Sequence, residues 1–387
     1  MSGTLAPTIA FIFNHHFFLG GGEASLYDLI QTLNRDRFSP LALVPARGDI
    51  LERMKARGIP AYVSPLPSLK RVLPWHPPLA LGQLVVLLRR AKPAILHANG
   101  SRACLYAVLA GQLLGVPVLW HVRETLKDLW IYDRFLFTLS RAVVCVSESV
   151  KAKRFDSLSV RWKEKIDVVY NGVDSSIFCR NPSNRERVRR ELGIEENEIL
   201  FGVVANYVPL KGQDFFLQGA AALKNSNPAL PFKVLLIGRP IDTLFLDRLR
   251  NLADELLLED RVLFRDHTDR IAEIYSALDI FVLPSRREGF SRSILEAMST
   301  GLPVLATQLS EIQEAVVEGQ NGLLVPHGDV ETLRRAALTL AKDRGLRETM
   351  GALNREKVED EFSLIAHARS METIYSQILS DPRCQIR

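Results

Sequence analysis

Short apolar runs alternate with helix-length amphipathic segments along the whole chain. In the first half the runs are Thr8–Asn14, Leu41–Ala46, Ala94–Asn99, Val118–Arg123, Ala142–Ser147 and Ile166–Val173. In the second half they are Ile199–Asn206, Phe232–Gly238, Ile280–Ser285, Pro303–Gln308 and Gly322–Pro326. Near-continuous Val, Ile, Leu and Phe runs of this length fit strands covered on both faces. Strands alternating with helices predict parallel sheets built from βαβ units. Two sets of runs predict two doubly wound α/β domains. The polar stretch Cys179–Glu198 has no strand signal and separates the sets. The boundary is placed there, giving domains over residues 1–180 and 181–362. Leu364, Ala368, Met371, Ile374 and Ile378 stand at helical spacing. They predict a terminal helix within residues 363–387, expected to pack back on the first domain.

Two stretches interrupt the alternation. Pro60–Pro78 carries six prolines plus Trp75, Lys70 and Arg71, and is read as a long loop. Ala103–Val122 is the longest uncharged stretch, but Gln112, Gly115 and Pro117 break it. A span needs about 20 mostly apolar residues, so this segment is read as helix, turn and buried strand.

With 387 residues the chain is long enough for two cores. Its four cysteines lack CxxC spacing, so neither a disulfide framework nor a zinc site is expected. The N-terminus lacks the charged region of a secretory signal. Net charge is +5, unevenly distributed. Residues 1–180 hold 23 Lys+Arg against 13 Asp+Glu, and the remainder 26 against 31. A basic first half fits an anionic acceptor or lipid surface, and ordinary solvated faces fit it too. Basic residues without interleaved aromatic stacking motifs argue against a nucleic-acid partner.

The segment Arg286–Asp329 carries the most chemistry. It follows the run IFVLPS, and open α/β sheets bind ligands at the carboxyl ends of their strands. Glu288 lies in the loop, Gly289 permits close backbone approach, and a helix begins near Ser291. That helix N-terminus is a site for a diphosphate. Glu296, about one turn in, can reach a sugar or ribose hydroxyl. Ser293 to Glu296 also fits a capping box, in which Glu296 satisfies a backbone amide. A second turn, Leu19-Gly-Gly-Gly-Glu23, opens a helix and can admit phosphate to its backbone. It is not GxGxxG, since Ser25 stands at the third glycine position. Lys211, after another strand, is either a neutraliser of a leaving phosphate or a solvated surface lysine. His121 can hydrogen-bond a sugar hydroxyl, assist proton transfer or serve a structural role.

Together these residues resemble glycosyltransferase family 4, the retaining nucleotide-sugar enzymes with two Rossmann-like domains facing across a cleft (GT-B). The strongest part is Glu288-Gly-Phe with Glu296-Ala-Met and Gly301-Leu-Pro-Val, matching the family's E-x7-E motif and its continuation. Asn321-Gly-Leu-Leu-Val-Pro, Tyr170-Asn-Gly-Val-Asp174 and Gly20-Gly-Gly-Glu23 extend the match in order. The resemblance implies a role for each residue. Glu288 lies near the anomeric carbon. Amides of Phe290, Ser291, Arg292 and Ser293 hold the sugar and diphosphate, with Gly289 and Asn206 on the same donor side. Glu296 binds ribose, Lys211 binds the departing diphosphate, and His121 faces the donor sugar. Gly21 and Gly22 border the diphosphate and the acceptor. No metal and no cofactor beyond the nucleoside diphosphate sugar is implied.

The expected activity is retaining transfer to a glycan or lipid-linked acceptor in cell-envelope polysaccharide assembly. The expected location is cytoplasmic, peripheral at the inner membrane face. Arg123, Lys70, Arg71, Trp75 and the Lys151–Lys165 stretch form the expected acceptor or anionic-membrane side. One departure stands out. Where the family usually carries an arginine ahead of its lysine, this chain reads Asn206, Tyr207 and Val208. Arg239, Arg286 and Arg292 are the candidates to replace it. The rival readings are a nucleotide-sugar epimerase and a catalytically weak, nucleotide-sugar-binding partner subunit.

Overall fold

The apolar runs of the first half become one all-parallel sheet. In the computed structural model, which describes residues 6–68, 75–125, 130–156 and 165–382, its strands are β1 (Thr8–Ile12), β2 (Ser39–Val44), β3 (Ala61–Val63), β4 (Ile95–Asn99), β5 (Val118–Val122), β6 (Ala142–Cys145) and β7 (Ile166–Val168). Their order is β3-β2-β1-β4-β5-β6-β7, so the direction of winding reverses between β1 and β4. That reversal opens a crevice at the carboxyl ends of these strands. The core includes Phe11, Phe13, Leu29, Ile30 and Val44, joined by Met371, Ile374 and Tyr375 from the helix Leu364–Ser380.

The second sheet is built the same way from β8 (Ile199–Val204), β9 (Phe232–Gly238), β10 (Val262–Asp266), β11 (Ile280–Leu283), β12 (Val304–Thr307) and β13 (Gly322–Val325). Its order is β10-β9-β8-β11-β12-β13, and winding reverses between β8 and β11. Phe201, Phe216 and Phe232 meet in its core, the last two ringing Phe201 at centroid distances of 5.9 Å.

The chain divides into one compact unit of residues 1–171 plus 364–387 and another of residues 172–363. The division falls earlier than residue 180, because 172–180 bond into the second unit. Val173 N–H donates to Phe362 O at 3.0 Å, and Ser299 Oγ donates to Phe178 O at 2.7 Å. The stretch Cys179–Glu198, read as a boundary, holds the helix Pro182–Leu192, capped by Asn181 and closed by Gly193. Its Arg185 and Arg189 pair with Asp279 at 2.5 and 3.0 Å. That anchors it to the second unit.

Two strands escaped the apolar pattern. β3 lies inside the proline-rich stretch, and its Tyr62 and Val63 are exposed. β10 is an edge strand of the second sheet with only its first residue buried. The long loop is also shorter than expected, since a helix starts at His76 with prolines in its first turn, where a missing N–H costs nothing. Trp75 is exposed, whereas Lys70 and Arg71 lie outside the described residues. No helix among the described residues is long and apolar enough to cross a membrane.

Candidate active site

β8 and β11 end side by side in the second unit. After β8 the chain passes Asn206 and a 3-10 turn, Pro209–Lys211, to reach Gly212 at φ 66°. A Cβ at Gly212 would overlap the Pro284 carbonyl just beyond β11, so glycine lets the two loops touch. Arg286 N–H donates to Leu210 O at 2.8 Å and fixes that contact. Lys211 Nζ then lies 2.7 Å from Glu288 Oε1, and Ser285 Oγ donates to the same oxygen at 2.6 Å. Ser285 is held by Thr307, whose hydroxyl donates to its carbonyl at 2.5 Å. Glu288 is buried while Lys211 keeps access to solvent. An ammonium has three donors, so Lys211 can hold Glu288 and still offer N–H to an anion.

Gly289 and Phe290 lead into the helix Arg292–Ser299, whose N-cap, Ser291, makes no side-chain cap bond. Its hydroxyl lies 3.0 Å from Ser293 Oγ instead. The positive end of the helix dipole therefore meets no capping oxygen of its own. The capping-box alternative is not realised. Glu296 Oε2 accepts from Tyr275 OH at 2.9 Å, and its Oε1 accepts from Arg292 Nη2 at 3.3 Å. Burial, then Glu296 itself, pushes the Tyr275 hydroxyl well above its ordinary value. It stays an O–H donor and orients the carboxylate. Sequence reasoning missed Tyr275, within the helix Ile271–Ala277, and Ser285, at the end of the run Ile280–Ser285, since neither hydroxyl stands out by spacing.

The three arginines proposed to replace the absent one differ in their partners. Arg286 pairs with Asp214 at 2.6 Å, and Arg292 with Glu296 at 3.3 Å. Arg239, directly after β9, bonds Asn206 and Tyr207 only through its backbone. Its N–H donates to Asn206 Oδ1 at 3.4 Å, and its carbonyl accepts from Tyr207 N–H at 2.9 Å.

In the first unit, Gly20 caps the helix Gly21–Thr32, which begins the return from β1. Gly22 packs on Arg123, and its carbonyl accepts from Asn99 Nδ2 at 3.4 Å. Arg123 is a hub. Its guanidinium donates to Asn99 Oδ1 at 2.7 Å, Ser25 Oγ at 3.0 Å and Asn171 Oδ1 at 2.7 Å. It also reaches His121 Nδ1 at 3.4 Å. His121 is wholly buried, and its Nδ1 lies 3.0 Å from Nε2 of His97. The sequence offered a signal for His97, a lone imidazole inside the apolar run Ala94–Asn99, which went unread.

Beside this hub lies a cavity of 290 Å³ lined by Asn14, His15, Ser101, Arg102, Arg123 and Arg154, among others. Gly100, at φ 93°, turns the chain into the helix Ser101–Leu114, so the helix N-terminus lines the cavity as well. Burial, then Arg102 and His16, lowers His15 to about 4. Arg154 pairs with buried Asp133 at 2.6 Å.

Glu23, in the first turn of its helix, is also buried. Burial pushes its carboxyl up to about 7, while its own amide and Arg123 pull the other way. The folded state thus keeps a proton that the unfolded chain releases near its ordinary value of 4.5. The stabilisation is whole below that value and lost as pH rises through about 7. Glu23→Gln is expected to add roughly 1–3 kcal/mol at pH 8 and little at pH 4. Urea midpoints of the two proteins at each pH test this, and equal shifts at both pH values would contradict it.

Comparison with known proteins places this geometry. Residues 19–177 match the sequence model of Glycosyltransferase Family 4, and residues 184–357 that of Glycosyl transferases group 1. N-acetyl-alpha-D-glucosaminyl L-malate synthase of Bacillus anthracis is 30% identical over 250 residues, 65% of this chain and 63% of that protein. The chain thus spans less than two thirds of that relative. UDP-Gal:alpha-D-GlcNAc-diphosphoundecaprenol alpha-1,3-galactosyltransferase of Escherichia coli is 26% identical, covering 76% of this chain and 78% of its own. The crystal structure of Anabaena HepE in complex with UDP and glucose shares the fold, with TM-score 0.84 at 22% identity over 96% of this chain and 99% of that one. Matched in order along both halves by the two family models, and built on two parallel sheets, the chain belongs to the family 4 type of GT-B glycosyltransferases.

Proposed function

We propose that the protein is a retaining, metal-independent glycosyltransferase that moves a sugar from a nucleoside diphosphate sugar to an acceptor bearing an anionic group. The observation that carries this reading is the Lys211–Glu288 pair at the strand reversal, 2.7 Å apart. The helix Arg292–Ser299, with no side-chain cap, follows Glu288 directly. The second unit is the donor side in this reading. The diphosphate rests on Lys211 and the backbone of Gly289 to Ser293, with Asn206 beside it. Ribose hydroxyls meet Glu296, and the sugar lies by Glu288. A bond forms from the acceptor hydroxyl oxygen to the anomeric carbon as the bond to the phosphate oxygen breaks on the same face. The hydroxyl proton goes to the leaving phosphate. Lys211 and the helix dipole meet the charge that develops there, the work a divalent cation performs elsewhere.

The first unit is the acceptor side, where Gly21 and Gly22 open the helix after β1 and His121 stands near the end of β5. Its 290 Å³ cavity supports an anionic acceptor, since Arg102, Arg123, Arg154 and a helix N-terminus line it against one carboxylate, Glu124. The names of the two relatives point the same way, one carrying malate and the other a lipid diphosphate. A cytoplasmic location at the inner membrane face completes the reading. Exposed Trp130, Ile131 and Phe135, on one helix with Arg134, supply a surface for anionic lipid.

A metal-free panel of UDP-, GDP-, ADP- and dTDP-sugars, read by thermal shift and release of nucleoside diphosphate, tests the proposal. One donor is expected to raise the melting temperature, with slow release that an acceptor carrying a phosphate accelerates. Donor-only conversion to an epimer would replace the transferase reading. Binding without release under any acceptor would make the protein a binding subunit.

A further inference from the structure

His97 in β4 and His121 in the adjacent β5 are both fully buried. The Tyr375 hydroxyl, from the helix Leu364–Ser380, lies 2.6 Å from His97 Nδ1. Nε2 of His97 lies 3.0 Å from Nδ1 of His121. Two proton orders can fill this chain. In one, Tyr375 OH donates to His97, His97 Nε2–H donates to His121, and His121 carries its proton on Nε2. In the other, every donor and acceptor is reversed.

The reverse order fails twice. Arg123 Nη2, 3.4 Å from His121 Nδ1, is a donor only and would face another N–H. The buried Tyr375 hydroxyl would also point its hydrogen away from His97, toward no acceptor among the described residues. The forward order gives the Tyr375 hydroxyl an acceptor and turns the Nδ1 lone pair of His121, shared with His97, toward Arg123, leaving one nitrogen unmatched. That is Nε2 of His121, which is buried without a partner among the described residues.

We propose that Tyr375, acting through His97, locks His121 as its Nε2–H tautomer, so that His121 offers a sugar hydroxyl a fixed hydrogen-bond donor and not a base. That the N–H meets a sugar rests on the function proposed above; the tautomer does not. Burial first, then Arg123, holds both imidazoles well below their ordinary value. His367, from the helix that carries Tyr375, acts in the same direction, and its own Nδ1 bonds Tyr170 O at 2.6 Å. Burial, opposed by Arg123 and aided by Glu372 on the same helix, pushes the Tyr375 hydroxyl well above its ordinary value and keeps it protonated. Tyr375 and His97 are positioning residues, one of them brought from more than 250 residues along the chain.

Histidine-selective 15N NMR of the full chain reads the tautomer directly. The wild type is expected to show His121 as Nε2–H alone from pH 5.5 to 8.5. Tyr375→Phe is expected to introduce a Nδ1–H population and lower kcat/KM about fivefold, the loss of one ordinary hydrogen bond. His121→Gln, which keeps an N–H donor but no base, is expected to retain more activity than His121→Ala. A wild-type Nδ1–H tautomer, or a tautomer unchanged in Tyr375→Phe, overturns the proposal. The expected tautomer with no response of the Nε2 resonance to any nucleotide sugar sustains the wire and overturns the sugar contact.

Discussion

Lys211→Ala is expected to lower kcat/KM by roughly 10²–10³-fold, the cost of removing one preorganised donor from a developing oxyanion. The loss should fall mainly on kcat. In the proposed reaction the ammonium meets a diphosphate in both ground and transition states, but the charge on the bridging oxygen grows only as the sugar leaves. Its other partner sharpens the test. Glu288 lies 2.7 Å from the Lys211 ammonium and accepts from Ser285 at 2.6 Å. Glu288→Gln keeps the shape and the Ser285 bond while removing the charge. It is expected to lose activity by a similar factor. If the two residues act as one unit, the double variant costs far less than the product of the singles. Steady-state kinetics on the donor selected by the panel measures all three, with melting temperatures as the folding control. Wild-type turnover in either single variant would remove that residue from the reaction.

The loop and helix around Glu288 were legible because their parts are local. Glu288, Gly289, the helix beginning at Arg292 and Glu296 lie within one loop and one turn of helix, where spacing translates directly into geometry. Strand runs were legible wherever both faces are covered, and failed at β3 and β10, which have exposed positions. The boundary was drawn late because residues 172–180 continue directly from the run Ile166–Val173, and only their bonds to Phe362 and Ser299 tie them to the second unit. Least legible was the hub of the first unit. Arg123, Ser25, Asn99 and Asn171 come from four separate segments, and Tyr375 reaches His97 only because the chain returns to the first sheet at its end. No local spacing encodes such a meeting. Only sheet order and register bring those residues together, as in the pairing of Asn99 with His121 across β4 and β5.

Arg239→Ala is expected to cost about 10²-fold in kcat/KM, again by loss of a charge-assisted contact to the leaving group. Its place in the fold is the argument. The arginine that family 4 usually supplies belongs just before Lys211, where this chain has Asn206 and Tyr207. Arg239 directly follows the neighbouring strand, and its backbone bonds both of those residues. A Cβ at Gly238 would overlap the Ala205 carbonyl, so glycine there draws the two strand ends together. Its rivals carry prior obligations. Arg286 is held by Asp214, and Arg292 by Glu296, so turning either toward a diphosphate would break an existing ion pair. Arg286→Ala is accordingly expected to stay within about threefold of wild type, as a partly exposed pair contributes little. Arg239→Lys separates charge from fork geometry, since one ammonium cannot make a bidentate contact to phosphate; partial recovery is expected. Installing Asn206→Arg in the Arg239→Ala background should restore activity from the adjacent strand end, because the missing element is a cation at that edge and not a particular residue. Full activity in Arg239→Ala, with collapse in Arg292→Ala, would move the clamp to the helix and leave Glu296 to be oriented by Tyr275 alone.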